Sequence, residues 1–101
     1  MSEAAGARGN SVGPVLRAGE VADAVVEALE EDNPGKEFVI ENRVTYIRAE
    51  TEGECIVRAA TVSRLLGRPF RMSELEVILT SFSGRIQTDD DMMRFYFDKT
   101  L

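Results

Sequence analysis

A chain of 101 residues is long enough for one domain with a buried core and too short for a two-domain enzyme. With 44% hydrophobic and 30% charged residues it has a globular composition, and no apolar run approaches the roughly 20 residues of a bilayer-spanning helix, so no membrane partner is expected. A net charge of -6 disfavours nucleic acid as a partner, while the absence of histidine and the single cysteine, Cys55, remove the commonest general base and metal ligand and any disulfide within the chain.

Residues 1–11 are small, polar and Gly-rich, so they are expected to form a flexible tail ahead of a single domain spanning 12–101. They contain no apolar h-region, and with one thiol the expected compartment is a reducing cytoplasm. Val12, Val15 and Leu16 around Gly13-Pro14 predict a strand over Val12–Arg17, at a sheet edge because proline lacks a ladder donor. After Gly19, Val21, Val25, Ala28 and Leu29 recur at helical spacing opposite Glu20, Asp23, Glu27, Glu30 and Glu31. Glu30 and Glu31 oppose the helix dipole, so packing must hold the last turn before Asn33-Pro34-Gly35 stops it. Phe38–Ile40 and Val44–Ile47 predict a hairpin turning at Asn42-Arg43.

Thr51-Glu52-Gly53 reads as a turn and Cys55–Val57 as a strand, followed by a short helix capped by Thr61 and ended at Leu66 by Gly67. Over Glu74–Ser81 two local rules compete. Ser73 and Glu76 have capping-box spacing, but Leu75, Val77 and Leu79 alternate, and the alternation predicts a strand. Ser83-Gly84 ends it, Asp89–Asp91 forms a charged turn, and Met93, Phe95 and Phe97 share one face of a last core strand. The expected fold is α+β: two β-α-β-β units, about 12–50 and 54–101, with helices packed on antiparallel sheet.

The chemistry-bearing residues are sparse. Asp89–Asp91 is the densest carboxylate cluster but lacks the alternating ligands of a calcium loop and reads as a solvated turn. Cys55 shares a face with Val57 and has no histidine to activate it, and Gly6, Gly9 and Gly13 make no phosphate-binding fingerprint. No catalytic, metal-binding or cofactor-binding residue is therefore assigned. Ten of the 12 basic residues are Arg, the cation enriched at protein interfaces, although pairing with this chain's own carboxylates accounts for them equally well.

Four blocks carry a resemblance: Asn10–Gly19 (NSVGPVLRAG), Asp32–Glu37 (DNPGKE), Leu66–Phe70 (LGRPF) and Arg94–Thr100 (RFYFDKT). In this order they resemble the effector proteins of bacterial toluene monooxygenases. Those belong to the small, cofactor-free coupling or regulatory proteins of soluble multicomponent di-iron monooxygenases, which also serve phenol and methane hydroxylases. The resemblance implies a non-catalytic effector that binds the di-iron hydroxylase and tunes substrate access, dioxygen activation and regiospecificity, while a Rieske ferredoxin and a reductase deliver electrons.

Carried over by motif and anchored on Gly84-Arg85, the resemblance makes Ile78, Thr80, Ser81 and Phe82 positions that govern access to the hydroxylase active site. Ile78 and Phe82 depart from the smaller or polar residues expected there and read equally as strand core. Asn10, Val12, Gly13 and Pro14, and Asn33, Pro34 and Gly35, are the other candidate contacts, the second group also serving as a helix stop. Two alternatives stand beside this reading: a stand-alone small-molecule sensor domain, and a carboxylate enzyme built on Asp89–Asp91.

Overall fold

The computed structural model describes residues 10–98, in which the elements are β1 (Ser11–Arg17), α1 (Glu20–Asp32), β2 (Val39–Asn42), β3 (Tyr46–Glu52), β4 (Glu54–Arg58), α2 (Ala59–Leu66), α3 (Met72–Ile78), β5 (Leu79–Ser83), β6 (Arg85–Thr88) and β7 (Met92–Tyr96). The strands form two antiparallel sheets, ordered β2-β3-β1-β5 and β4-β7-β6. Each half of the chain repeats one plan: a strand, then helix, then a hairpin whose second strand returns beside the first. The α+β class expected from sequence is observed. β5 is the addition, laid against β1.

The sheets join where chains bend without a loop. β3 passes into β4 at Gly53 and β5 into β6 at Gly84, with φ of 88° and 89°, a region open to glycine at little cost. Side chains alternate through the bend, so Ile47, Ala49, Cys55 and Val57 all reach the core, where Met93 and Phe95 of β7 meet them. α1 buries Ala22, Val25, Ala28 and Leu29 against this core, as its spacing predicts. Burial also pushes the Cys55 thiol up to about 12.

The last turn of α1, with no basic residue in it, is held by its own C-terminus. Asn33 Nδ2 donates to the Leu29 carbonyl at 2.7 Å and to the Ile56 carbonyl at 2.7 Å, and its Oδ1 accepts the Ile56 N–H at 2.9 Å. This amide stands where a neighbouring strand would and closes the outer edge of β4. Asp32 continues the clamp: its carboxylate accepts the Arg58 N–H and the Thr61 hydroxyl, each at 2.8 Å. Thr61 is therefore the third residue of α2, whose N-cap is Arg58. Gly67 ends α2 as expected, donating to Ser63 and Arg64 carbonyls.

Other expectations change as well. β1 is an interior strand, not an edge. Its ladder with β3 skips Gly13 and Pro14 and resumes in register at Val15, so the donor proline lacks falls in a gap. Glu74–Ile78 is helical, and only Leu79–Ser83 is strand. There Glu74 accepts the Arg71 N–H at 3.1 Å while Met72 and Leu75, three apart, are buried and Val77 is exposed. A helical cap and one buried turn thus overrule the period-two pattern. β6 was not expected at all, having Ile86 as its single large apolar residue. The hairpin turns at Arg43–Thr45, where the Arg43 N–H donates to the Tyr46 carbonyl, rather than at Asn42-Arg43. Ser11, assigned to the tail, begins β1, and the rest of that tail up to residue 9 lies outside the described residues.

Candidate functional site

The bend between the sheets gathers residues far apart in sequence. Asn10 accepts the Gly53 N–H at 2.9 Å, and the Gly53 carbonyl accepts the Phe97 N–H at 2.8 Å. A methyl at Gly84 would lie 2.6 Å from Val12 Cγ1 and 2.7 Å from the Tyr96 carbonyl oxygen, and one at Gly13 only 2.0 Å from the Ala49 oxygen. The register then sets Gly13 beside Ser83 and Pro14 beside Phe82. Two of the three predicted contact groups are thereby one continuous region.

Within it the residues divide by exposure. Val12 and Pro14 are fully buried and shape the region from beneath. The β1–β5 register shifts between Val15 and Leu16, which leaves Thr80 as an extra residue on β5, its hydroxyl donating to the Val15 carbonyl at 3.1 Å. Ser81 is exposed, and Phe82 is 39% exposed with its ring 6.1 Å from that of buried Phe95. Ile78, at the end of α3, packs partly into the core. Arg85 is exposed and pairs with Asp98 at 3.1 Å.

The third group, Asn33 to Gly35, is separate along the chain but not remote. All three hydrogen bonds described for the Asn33 side chain are internal and anchor the turn that follows α1. Pro34 and Gly35 are exposed. Gly35 shares a shallow depression with Ser11, Val39 and Glu50, and a second depression joins these three to Ser83 and Gly84.

The sequence allows arginines to pair with the chain's own carboxylates, but it did not group the residues that do so here. On the outer face of the larger sheet, away from the core, Arg43 pairs with Glu41 at 2.6 Å, and Glu41 with Arg48 at 3.3 Å. Arg48 lies 3.7 Å from Glu50, whose carboxylate accepts the Ser83 hydroxyl at 2.7 Å. The Arg43 hydrogen bond is the main cause holding the Glu41 carboxyl below its ordinary range. Opposite charges at Glu41 and Arg48 were visible, but their pairing needs the hairpin register. Val44, at the hairpin tip, is 95% exposed, the most solvent-facing large apolar side chain described.

The carboxylate cluster is a turn in the structure too. Asp89 Oδ1 accepts the N–H groups of Asp91 and Met92 at 2.8 and 2.9 Å. Among the described residues no three His, Cys, Asp or Glu side chains converge to hold a metal ion. The surface as a whole offers an exposed strand, polar hydroxyls and a half-exposed ring, the makings of a protein contact rather than of bond chemistry.

Residues 10–96 match the model of the MmoB/DmpM family. The chain belongs to the MmoB/DmpM family. The match covers both sheets and every candidate contact residue named above. Among MmoB/DmpM relatives, the alkene monooxygenase system effector subunit of Xanthobacter autotrophicus (strain ATCC BAA-1158 / Py2) is 43% identical over 88 residues, 87% of each chain. The phenol 2-monooxygenase stimulatory component DmpM of Pseudomonas sp. (strain CF600) is 36% identical over 67 residues, 66% of this chain and 72% of that one. A chain of the phenol hydroxylase–regulatory protein complex superposes with TM-score 0.74 at 25% identity, over 87% of this chain and 99% of that one. The soluble methane monooxygenase regulatory protein B shares the fold, with TM-score 0.66 at 22% identity over 89% and 67%. The chain is thus a regulatory, non-catalytic component of a monooxygenase system, in line with the names of its MmoB/DmpM relatives.

Proposed function

We propose that this protein is the effector subunit that docks on the di-iron hydroxylase of a toluene-type aromatic monooxygenase and sets its conformation, coupling efficiency, rate and regiospecificity. The observation that carries the reading is the 43% identity over 87% of both chains to a protein named as a monooxygenase effector subunit. The phenol hydroxylase–regulatory protein complex supports a hydroxylase as the partner, and the toluene assignment rests on the four sequence blocks. Thr80, Ser81, Phe82 and Arg85 would touch the hydroxylase, with Asn10, Pro34, Gly35 and Gly84 at the margin and Val12, Gly13 and Pro14 holding β5 from below. Asn33 belongs to the same contact only through the turn it anchors. A Rieske ferredoxin and a reductase complete the system, in the cytoplasm.

An effector without chemistry of its own acts by differential affinity. It shifts the hydroxylase toward a working conformation only by as much as it binds that conformation better, about 1–3 kcal/mol for allosteric pairs. Reconstitution tests this: purified hydroxylase, reductase and ferredoxin are supplied with toluene, phenol or a short alkene, with and without the effector. Product formed per electron consumed should rise, and the toluene arm should respond most. No change in rate, coupling or isomer distribution in any arm would overturn the reading, and a response confined to the alkene arm would replace the aromatic assignment.

A further inference from the structure

The outer face of the larger sheet is organised in rows across its strands. One row is Val39, Glu50, Gly13 and Ser83: Val39 pairs with Glu50, Gly13 pairs with Ser83, and the pairs Val12 with Thr51 and Val15 with Arg48 set Gly13 opposite Glu50. The next row is Glu41, Arg48, Val15 and Ser81. The rows differ at β1. Gly13 carries no side chain, so the Glu50 carboxylate reaches across the strand to the Ser83 hydroxyl. In the neighbouring row Val15 stands between Arg48 and Ser81, and Ser81 stays exposed.

β5 is an edge strand with a register shift, a weak place in a ladder. Two side-chain ties flank its exposed centre: Thr80 to the Val15 carbonyl on one side and Ser83 to Glu50 on the other. Ser81 and Phe82 lie between them. Glu50 is itself held, its side chain 17% exposed and faced by Arg48, which Glu41 engages in turn. A hydrogen bond to a charged acceptor is stronger than one between neutral groups, so this tie is worth more than an ordinary surface contact.

We propose that Glu50 is a positioning residue of the effector: by reaching over Gly13 to Ser83 it fixes the C-terminal end of β5 and so the presentation of Ser81 and Phe82 to the hydroxylase. This rests on the reading of the protein as a hydroxylase effector and names a part of that same surface.

The test compares Glu50→Ala, Ser83→Ala, their double variant and Glu50→Gln, whose amide oxygen can still accept the Ser83 hydroxyl. In the full chain alone, amide hydrogen exchange along β5 should accelerate about tenfold in both alanine variants while α1 is unchanged. In the reconstituted monooxygenase the same variants should change isomer distribution and lower product per electron, the double variant should be no worse than either single one, and Glu50→Gln should restore most of both. Unchanged exchange in Ser83→Ala, which removes one hydroxyl and leaves the core alone, would overturn the tie even if Glu50→Ala fails to fold. Faster exchange with unaltered coupling and isomers would overturn the positioning role. A wild-type protein without effect on the hydroxylase would instead overturn the effector reading, and the exchange measurement would still decide the tie.

Discussion

The first strand of each half of this protein needs something on its far side, and the two halves meet the need differently. β1 is flanked by β5, a full strand with a bulge, an exposed edge and a half-exposed ring. β4 is flanked by two side chains, Asp32 and Asn33, which occupy its free N–H and C=O groups without adding a strand. The same topological plan is therefore sealed at one end and left open at the other. An open edge is a liability in a soluble protein unless a partner uses it, and this one carries the residues the family resemblance marks for contact.

The comparison breaks most easily at Gly13. Gly13→Ala would put a methyl 2.0 Å from the Ala49 carbonyl oxygen and separate β1 from β3. It should cost more than about 4 kcal/mol, a fall of about 16 °C or more in a thermal melt followed by circular dichroism. A melt within a few degrees of wild type would show that the two strands can move apart.

The sealed side should respond less strongly. Asn33→Ala removes one acceptor and two donor interactions at the β4 edge and should lower stability by about 2 kcal/mol in urea titrations. Asn33→Asp keeps the acceptor for Ile56 N–H but sets a carboxylate oxygen against the Leu29 and Ile56 carbonyls, so it should lose at least as much. At a temperature where Asn33→Ala stays folded, its effect on the hydroxylase should match wild type. A lost response there would return Asn33 to the contact surface.

Protonation separates the two regions further. Burial raises the Cys55 thiol from 9.0 to about 12, so above pH 9 the unfolded chain ionises while the folded chain does not, and stability should fall from pH 9 towards 12. Thiol-labelling reagents at pH 8 should accordingly react far faster in urea than with the native protein. On the acid side, Glu41 and Glu74 have lowered folded values, so their contribution is present above the ordinary 4.5 and is lost as pH falls through those lower values. The smallest effect is expected at the hairpin tip: Val44→Ser should change stability by less than about 0.5 kcal/mol.

What the sequence revealed is what local rules decide. Val25, Ala28 and Leu29 announce α1, and Cys55 with Val57 and Met93 with Phe95 announce core strands, because each signal lies within one element. β1 was misplaced because the tolerance for Pro14 depends on a gap in pairing with β3, a relation between distant segments. Glu74–Ile78 was misread because one carboxylate on a backbone N–H and one buried turn outweigh three alternating apolar residues. At the candidate site the block around Gly13 was legible, and the resemblance marked the stretch anchored on Gly84-Arg85. That the two adjoin was not legible, since register alone brings Gly13 to Ser83, and the Glu41–Arg48–Glu50–Ser83 series depends on it for the same reason.

The hydrogen bonds of Gly53 to Asn10 and Phe97 have a practical corollary for anyone handling this protein. The described residues begin and end at one spot, adjoining the surface proposed to meet the hydroxylase. A tag or fluorescent fusion joined directly to Asn10 or Asp98 would start beside that surface and should compete with docking. A reporter attached at Glu27, on the solvent side of α1, would leave it clear.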